Sequence, residues 1–201
     1  MSDRRLEPEA LLAFYRAGAF PMGQPGTTRV EFFTCATRAI LPLDTFHAPR
    51  DAKRALERGV FTVTFDRDFD AVIRGCAEPR TSDAETWITA PIIEAYSRLH
   101  RCGHAHSVET WRDQRLVGGL YGVSIGAAFF GESMFSRLDD GGSNASSAAL
   151  SALVERLRER GFTLFDCQYL NDHTRRLGAI EISERDYLAR LADAVAVPDR
   201  W

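Results

Sequence analysis

Two carboxylates interrupt apolar stretches of this chain, and both stand beside groups able to share a proton. Asp166 and Gln168 fall in the run Phe162–Leu170. Read as a strand, that run places Phe162, Leu164, Asp166, Gln168 and Leu170 on one face. A carboxylate on such a face is costly to bury alone, so Asp166 requires a partner or a cleft. It either ties down a loop or serves a site. Glu132 follows the apolar run Ala127–Phe130, inside Gly131-Glu132-Ser133-Met134-Phe135-Ser136. There it can orient an amine or a ribose hydroxyl, or cap a turn.

Other clusters carry weaker chemistry. His100, His104 and His106 invite a metal, but Gly103 breaks the helical spacing of the first pair and no acidic or cysteine ligand completes a set. Structural hydrogen bonding is the better reading. Arg50, Lys53, Arg54 and Arg58 share one helix face. They are a solvated surface or a stripe that grips phosphates without reading sequence. Phe32, Phe33, Trp87, Tyr96, Phe129 and Phe130 recur near these segments. Most suit a core, and an exposed one can stack on a nucleobase.

The elements that must position these groups are legible from periodicity. Helices are expected over 9–17, Arg50–Arg58, Asp66–Cys76, a segment capped by Thr89 and carrying Ile92, Tyr96 and Leu99, Ala148–Arg160, and 184–194. Strands are expected at Val30–Thr34, Ala39–Leu41, Val60–Phe65, Ala105–Trp111, Leu116–Ser124, Ala127–Gly131 and Phe162–Leu170. Pro21–Thr28 and Asp139–Ser147 read as loops. Helices alternating with hairpin strands argue an α+β fold with helices packed on a mixed, largely antiparallel sheet.

The 201 residues are enough for a sizeable core. A net charge of −3 announces no nucleic acid, so such a partner would need a local basic patch. The four cysteines form no CxxC pair, which suits reduced thiols in a cytoplasmic protein. Met1–Pro8 is charged and lacks the apolar core of a signal peptide, and no run reaches membrane-spanning length.

Several blocks, taken in order, resemble one family. They are Ala17-Gly18-Ala19-Phe20-Pro21-Met22, Glu85-Thr86-Trp87-Ile88-Thr89, Gly103-His104-Ala105-His106-Ser107-Val108-Glu109, Leu116-Val117-Gly118-Gly119-Leu120-Tyr121-Gly122-Val123, Phe130-Gly131-Glu132-Ser133-Met134-Phe135-Ser136-Arg137, Asp166-Cys167-Gln168, Asn171-Asp172-His173 and Leu177-Gly178-Ala179. Together they resemble leucyl/phenylalanyl-tRNA–protein transferases over nearly the whole chain.

The resemblance implies a small N-terminal α/β domain, 1–46, and a GNAT-like catalytic domain, 47–201. It implies peptide-bond formation between the aminoacyl ester of Leu-tRNA or Phe-tRNA, less readily a methionyl ester, and a protein bearing N-terminal Arg or Lys. The product would be marked for N-end-rule degradation. Asp166, Gln168 and Glu132 would be the catalytic residues, with Asp166 and Gln168 orienting the amine and taking its proton. Leu120, Phe129, Met134 and Phe165 would line the amino-acid pocket, Phe33 and Trp87 would stack on adenosine, and Arg50, Lys53, Arg54 and Arg58 would hold tRNA backbone. The ester is already activated, so neither cofactor nor metal is implied, and a monomer is expected. The pattern departs from the family at Phe32-Phe33, where a larger aromatic is usual, at Ser147 in place of lysine, and at a longer 138–143 segment. A GNAT-like acyltransferase using acyl-CoA and a non-catalytic tRNA- or peptide-binding relative are the alternatives.

Overall fold

The computed structural model describes residues 4–79 and 85–201. Residues 1–3 of the charged N-terminal stretch lie outside them. After a single 3-10 turn, α1 (Pro8–Arg16) leads into a hairpin of β1 (Phe20–Gly23) and β2 (Val30–Phe33). Then come β3 (Thr37–Ile40), α2 (Arg50–Glu57), β4 (Thr62–Phe65), α3 (Phe69–Ala77) and α4 (Ala90–Arg101). Three long strands follow: β5 (Ala105–Arg112), β6 (Arg115–Ile125) and β7 (Ala128–Ser136). The chain ends with α5 (Ala145–Glu159), β8 (Leu164–Asp166), α6 (Asp172–Arg176), β9 (Ile180–Ser183) and α7 (Glu184–Val195). No helix among the described residues is long and apolar enough to cross a membrane.

Seven strands form one sheet in the order β4-β5-β6-β7-β8-β3-β9. Every pairing is antiparallel except β7 with β8. The expected α+β class, a mixed and largely antiparallel sheet flanked by helices, is the one observed. Strand alternation gives the sheet two cores. Tyr121 and Phe130 point to the side of α1, α3, α4 and α7, where they meet Tyr15, Ile73, Tyr96 and Tyr187. Their chain neighbours Leu120 and Phe129 point to the side of α5, with Leu150, Leu153 and Leu157. The expected boundary at residue 46 falls after β3. The N-terminal segment therefore supplies both the separate two-stranded sheet and one strand of the main sheet.

Most predicted helices and strands occur within a few residues of their expected ends. Four differences bear on the site. Pro21–Thr28 is not loop throughout, because Phe20–Gly23 pairs with Val30–Phe33. β7 runs to Ser136 rather than stopping near Gly131, since β6 continues beside it. Phe162–Leu170 yields only Leu164–Asp166 as strand, and Gln168 turns into left-handed backbone with φ 55°. α6 and β9, which carry no clear period, went unread between that strand and the last helix.

α5 also begins at Ala145, three residues before the period suggested. Its first turn is tied down by distant groups. The Ser146 N–H donates to Ser136 Oγ at 2.9 Å, and Thr110 Oγ1 donates to the Ala145 carbonyl at 2.9 Å. Close approach there depends on Gly118, where an added Cβ would lie 2.5 Å from the Ala145 Cβ and 2.9 Å from the Phe135 carbonyl. Gly118→Ala should therefore cost about 1–3 kcal/mol through forced displacement of α5. Equilibrium urea unfolding reads this directly, and an unchanged midpoint would refute it.

Candidate active site

The site lies where the sheet opens. β7 and β8 pair only through Ala128–Phe130 and Leu164–Asp166, and beyond this the two strands diverge. Gly131–Met134 of β7 then form one wall of a cavity of about 330 Å³. Phe20–Met22 of β1 and Trp87 form its rim, and the chain from Cys167 through α6 to Ala179 forms the opposite wall. The inner lining is apolar, with Leu41, Leu120, Met134, Leu150, Phe165 and Leu177. Glu132 is the one carboxylate on the lining.

A bulge aims Glu132. Tyr121 pairs with Ser133 and Gly122 with Gly131, so Glu132 is the extra residue between them. Such an insertion re-aims a side chain and bends its strand. The Glu132 carboxylate accepts from the Tyr15 hydroxyl at 2.7 Å on Oε1 and the Tyr96 hydroxyl at 3.0 Å on Oε2. Gln168 Nε2 donates to Oε1 at 3.2 Å, and the two tyrosine hydroxyls also touch each other. Tyr15 and Tyr96 are fully buried. Glu132 is reached from the cavity yet enclosed by protein, and no cation contacts it among the described residues. Burial pushes its carboxyl up to about 7, against the lowering effect of the two tyrosine hydrogen bonds.

Asp166 sits behind this wall, with no exposure. Arg38 donates to it through Nε at 2.9 Å and Nη2 at 2.7 Å, Tyr187 through its hydroxyl at 2.8 Å, and Gln168 through its backbone N–H at 2.9 Å. The guanidinium of Arg38 lies between the Phe20 and Tyr187 rings, 4.6 Å from each centroid. Its remaining arm donates to the Gly18 carbonyl at 3.0 Å. Asp166 thus fixes the turn that swings Gln168 toward Glu132. The shared face expected for Asp166 and Gln168 does not form, because the left-handed backbone at Gln168 ends the alternation.

The structure brings Glu132, Gln168, Trp87, Leu120, Met134 and Phe165 to one cavity. Phe129 is fully buried on the far side of Phe165, stacked on Trp201 with centroids 5.6 Å apart. Phe33 is half-buried and packs near Phe20, outside the cavity lining. Arg50, Lys53, Arg54 and Arg58 lie on or at the end of α2, away from that lining. Lys53 and Arg54 make exposed contacts with Glu57 and Asp51 at 3.9 and 3.8 Å. His106 binds Asp66 at 2.9 Å and His100 the Ala105 carbonyl at 2.8 Å. Sequence reasoning missed Tyr15, Arg38 and Tyr187 and took Tyr96 for core. Tyrosines on otherwise apolar helix faces were the available signal, since a buried hydroxyl needs a partner.

The raised Glu132 carboxyl has a defined effect on stability. Unfolded, it titrates near 4.5, and folded near 7. Between those values the folded chain holds more proton, so stability falls as pH rises through the window and stays reduced above it. The full penalty is at most about 3 kcal/mol. Glu132→Gln keeps an acceptor for Tyr15 and offers the Tyr96 oxygen an amide N–H to accept, without the titration. Its stability relative to wild type should climb from pH 5 to pH 8 in denaturant melts. A difference that does not change with pH would contradict the assignment.

Comparison with known proteins places this chain in a family. Residues 40–192 match the family model of leucyl/phenylalanyl-tRNA protein transferases. A leucyl/phenylalanyl-tRNA–protein transferase of Zymomonas mobilis is 50% identical over 192 residues, spanning 95% of this chain and 70% of its own. One from Rubrobacter xylanophilus is also 50% identical, spanning 95% of this chain and 96% of its own. Among solved structures, FemX shares the fold over 87% of this chain and 66% of its own, with a TM-score of 0.55 at 14% identity. With its cavity at the split between β7 and β8, this chain belongs to the leucyl/phenylalanyl-tRNA–protein transferase family, a family of aminoacyltransferases.

Proposed function

We propose that the cavity receives the aminoacyl end of Leu-tRNA or Phe-tRNA and that the acceptor amine meets the ester beside Glu132 and Gln168. One observation carries this reading: Glu132 is the single carboxylate on a lining whose inner part is apolar, with His173 on the opposite wall. Leu41, Leu120, Leu150 and Phe165 suit an apolar side chain that is unbranched at Cβ. One methylene in such a pocket is worth only about 1–3 kcal/mol, so methionyl ester reacts more slowly rather than being refused. Trp87 at the rim stacks on the terminal adenosine. Phe33, beyond the lining, adds to that platform only from outside the chamber, and Phe129 supports Phe165 from behind.

In this reading Glu132 and Gln168 face the reacting atoms, and Asp166 is a positioning residue, because four donors already occupy its oxygens. Holding amine and ester together supplies much of the acceleration. The acceptor is a protein with N-terminal Arg or Lys, the modified protein enters N-end-rule degradation, and the enzyme works as a cytoplasmic monomer without an added cofactor. The small N-terminal domain, 1–46, supplies Phe20–Met22 of the rim and Leu41 of the lining, and the domain 47–201 supplies Trp87 and most of the chamber. The α2 stripe carries tRNA backbone, since its side chains are exposed and lie on one helix face.

The decisive assay mixes charged Leu-tRNA with a peptide bearing N-terminal Arg, with acetyl-CoA as a control donor. Transfer from Leu-tRNA alone is expected; acetylation alone would select an acyl-CoA enzyme, and no reaction a binding protein. Replacing Lys53 and Arg54 by Gln should weaken tRNA binding and lower the slope of log affinity against log salt by about 2. An unchanged slope would remove α2 from the tRNA surface.

A further inference from the structure

The three groups that meet at the cavity wall raise a question of proton count. Tyr15, Tyr96 and Glu132 contact one another pairwise, giving three oxygen–oxygen edges. Each edge needs one proton, and the two phenols bring only two. Ionising a phenol would not help, since it removes a proton, and burial pushes both phenols well up. With Glu132 as a carboxylate, both hydroxyls turn to it and the Tyr15–Tyr96 edge is left with opposed lone pairs. A proton on Glu132 fills all three edges. Gln168 Nε2 donates to Oε1 and so marks that oxygen as an acceptor. The proton then sits on Oε2 and the ring has a direction: Glu132 to Tyr96, Tyr96 to Tyr15, and Tyr15 back to Oε1.

Only one member of this ring reaches the cavity. Tyr15 and Tyr96 are sealed, and Glu132 alone is on the lining. We propose that Tyr15, Tyr96 and Glu132 form a closed three-proton ring in which neutral Glu132 is the general acid that protonates the leaving 3′ oxygen of the tRNA adenosine. This rests on the transferase reading above. The step balances. The acceptor nitrogen forms its bond to the ester carbonyl carbon, the carbon–3′-oxygen bond breaks, and that oxygen takes the Oε2 proton as it swings out of the Tyr96 edge, opening the ring for the length of the transfer. The proton shed by the nitrogen returns to the carboxylate, so the ring ends each turnover with three protons. Tyr15 and Tyr96 act through Glu132 and are positioning residues. Around the carboxyl stand Tyr15 from α1, Tyr96 from α4 and Gln168 after β8, with the charges of Asp166 on β8 and Arg38 on β3 also acting on it. Tyr121 of β6, edge-on to Tyr96 at 5.4 Å, adds a neutral phenol.

Two measurements test the ring. The first needs no turnover: infrared difference spectra of wild type against Glu132→Gln at pH 6 should show the C=O stretch of a protonated carboxyl. A carboxylate doublet instead would overturn the ring, whatever the protein transfers. The second is single-turnover transfer from Leu-tRNA to an Arg peptide. Glu132→Gln, which preserves the hydrogen bonds but holds no labile acid, should lose at least a hundredfold in rate while still binding Leu-tRNA. Tyr15→Phe and Tyr96→Phe should each lose about tenfold in rate at unchanged KM for tRNA, and the double variant little more, because opening the ring once disables it. When Glu132 is ionised both phenols donate to it, so losing either one disfavours the carboxylate and the alkaline limb of the pH–rate profile should move upward. Losses that multiply in the double variant with an unmoved limb would refute the coupling. Absence of transfer by wild type would strike the transferase reading, leaving the infrared result to decide the ring.

Discussion

The pair formed by Arg38 and Asp166 is the contact on which this architecture turns. It joins β3 to β8 from residues 128 positions apart, and both side chains are essentially without solvent. Isolated, either charge would be prohibitive there. Paired in a fork, roofed by two aromatic rings and completed by the Gly18 carbonyl and Tyr187, they satisfy each other. Removing one partner strands the other, which is why such pairs hold geometry more than they add stability. Here the geometry held is the turn at Gln168.

From that turn the cavity follows. A parallel pair that continued past Phe130 would fill the space between β7 and β8 with backbone hydrogen bonds. Because Gln168 adopts a left-handed conformation, the chain leaves the sheet and returns only at β9, on the far side of β3. β7 meanwhile bends at the Glu132 bulge. Two local departures from regular strand, one in each wall, thus make the opening and furnish it with an amide and a carboxyl.

Much of this was legible in the residues themselves. Periods fixed most helices and the β5–β6–β7 meander, and odd polarity singled out Glu132 and Gln168, which reach the cavity, and Asp166, which lies behind it. What was hidden shares a cause. The bulge, the early start of α5 and the partners of Asp166 all depend on groups distant in sequence: Ser136 for α5, Arg38 and Tyr187 for Asp166, Tyr15 and Tyr96 for Glu132. Alternation was applied two residues too far at Gln168, because a strand's end is set by its neighbours and not by its own pattern. The aromatic assignments divided for a similar reason. Trp87 and Phe165 reach the cavity, whereas Phe129 belongs to the layer beneath.

The threading of β3 between β8 and β9 also has a temporal consequence. A strand from the first fifth of the chain receives both of its sheet neighbours from the last fifth. While the polypeptide emerges during synthesis, the β5–β6–β7 meander can form from nearby segments, but β3 has nothing to pair with until β8 and β9 arrive. Pairings this distant close late and slowly, since loop entropy must be overcome before they contribute. The cavity wall at Gln168 is therefore among the last parts to assemble, and an incomplete nascent chain cannot present a finished active site.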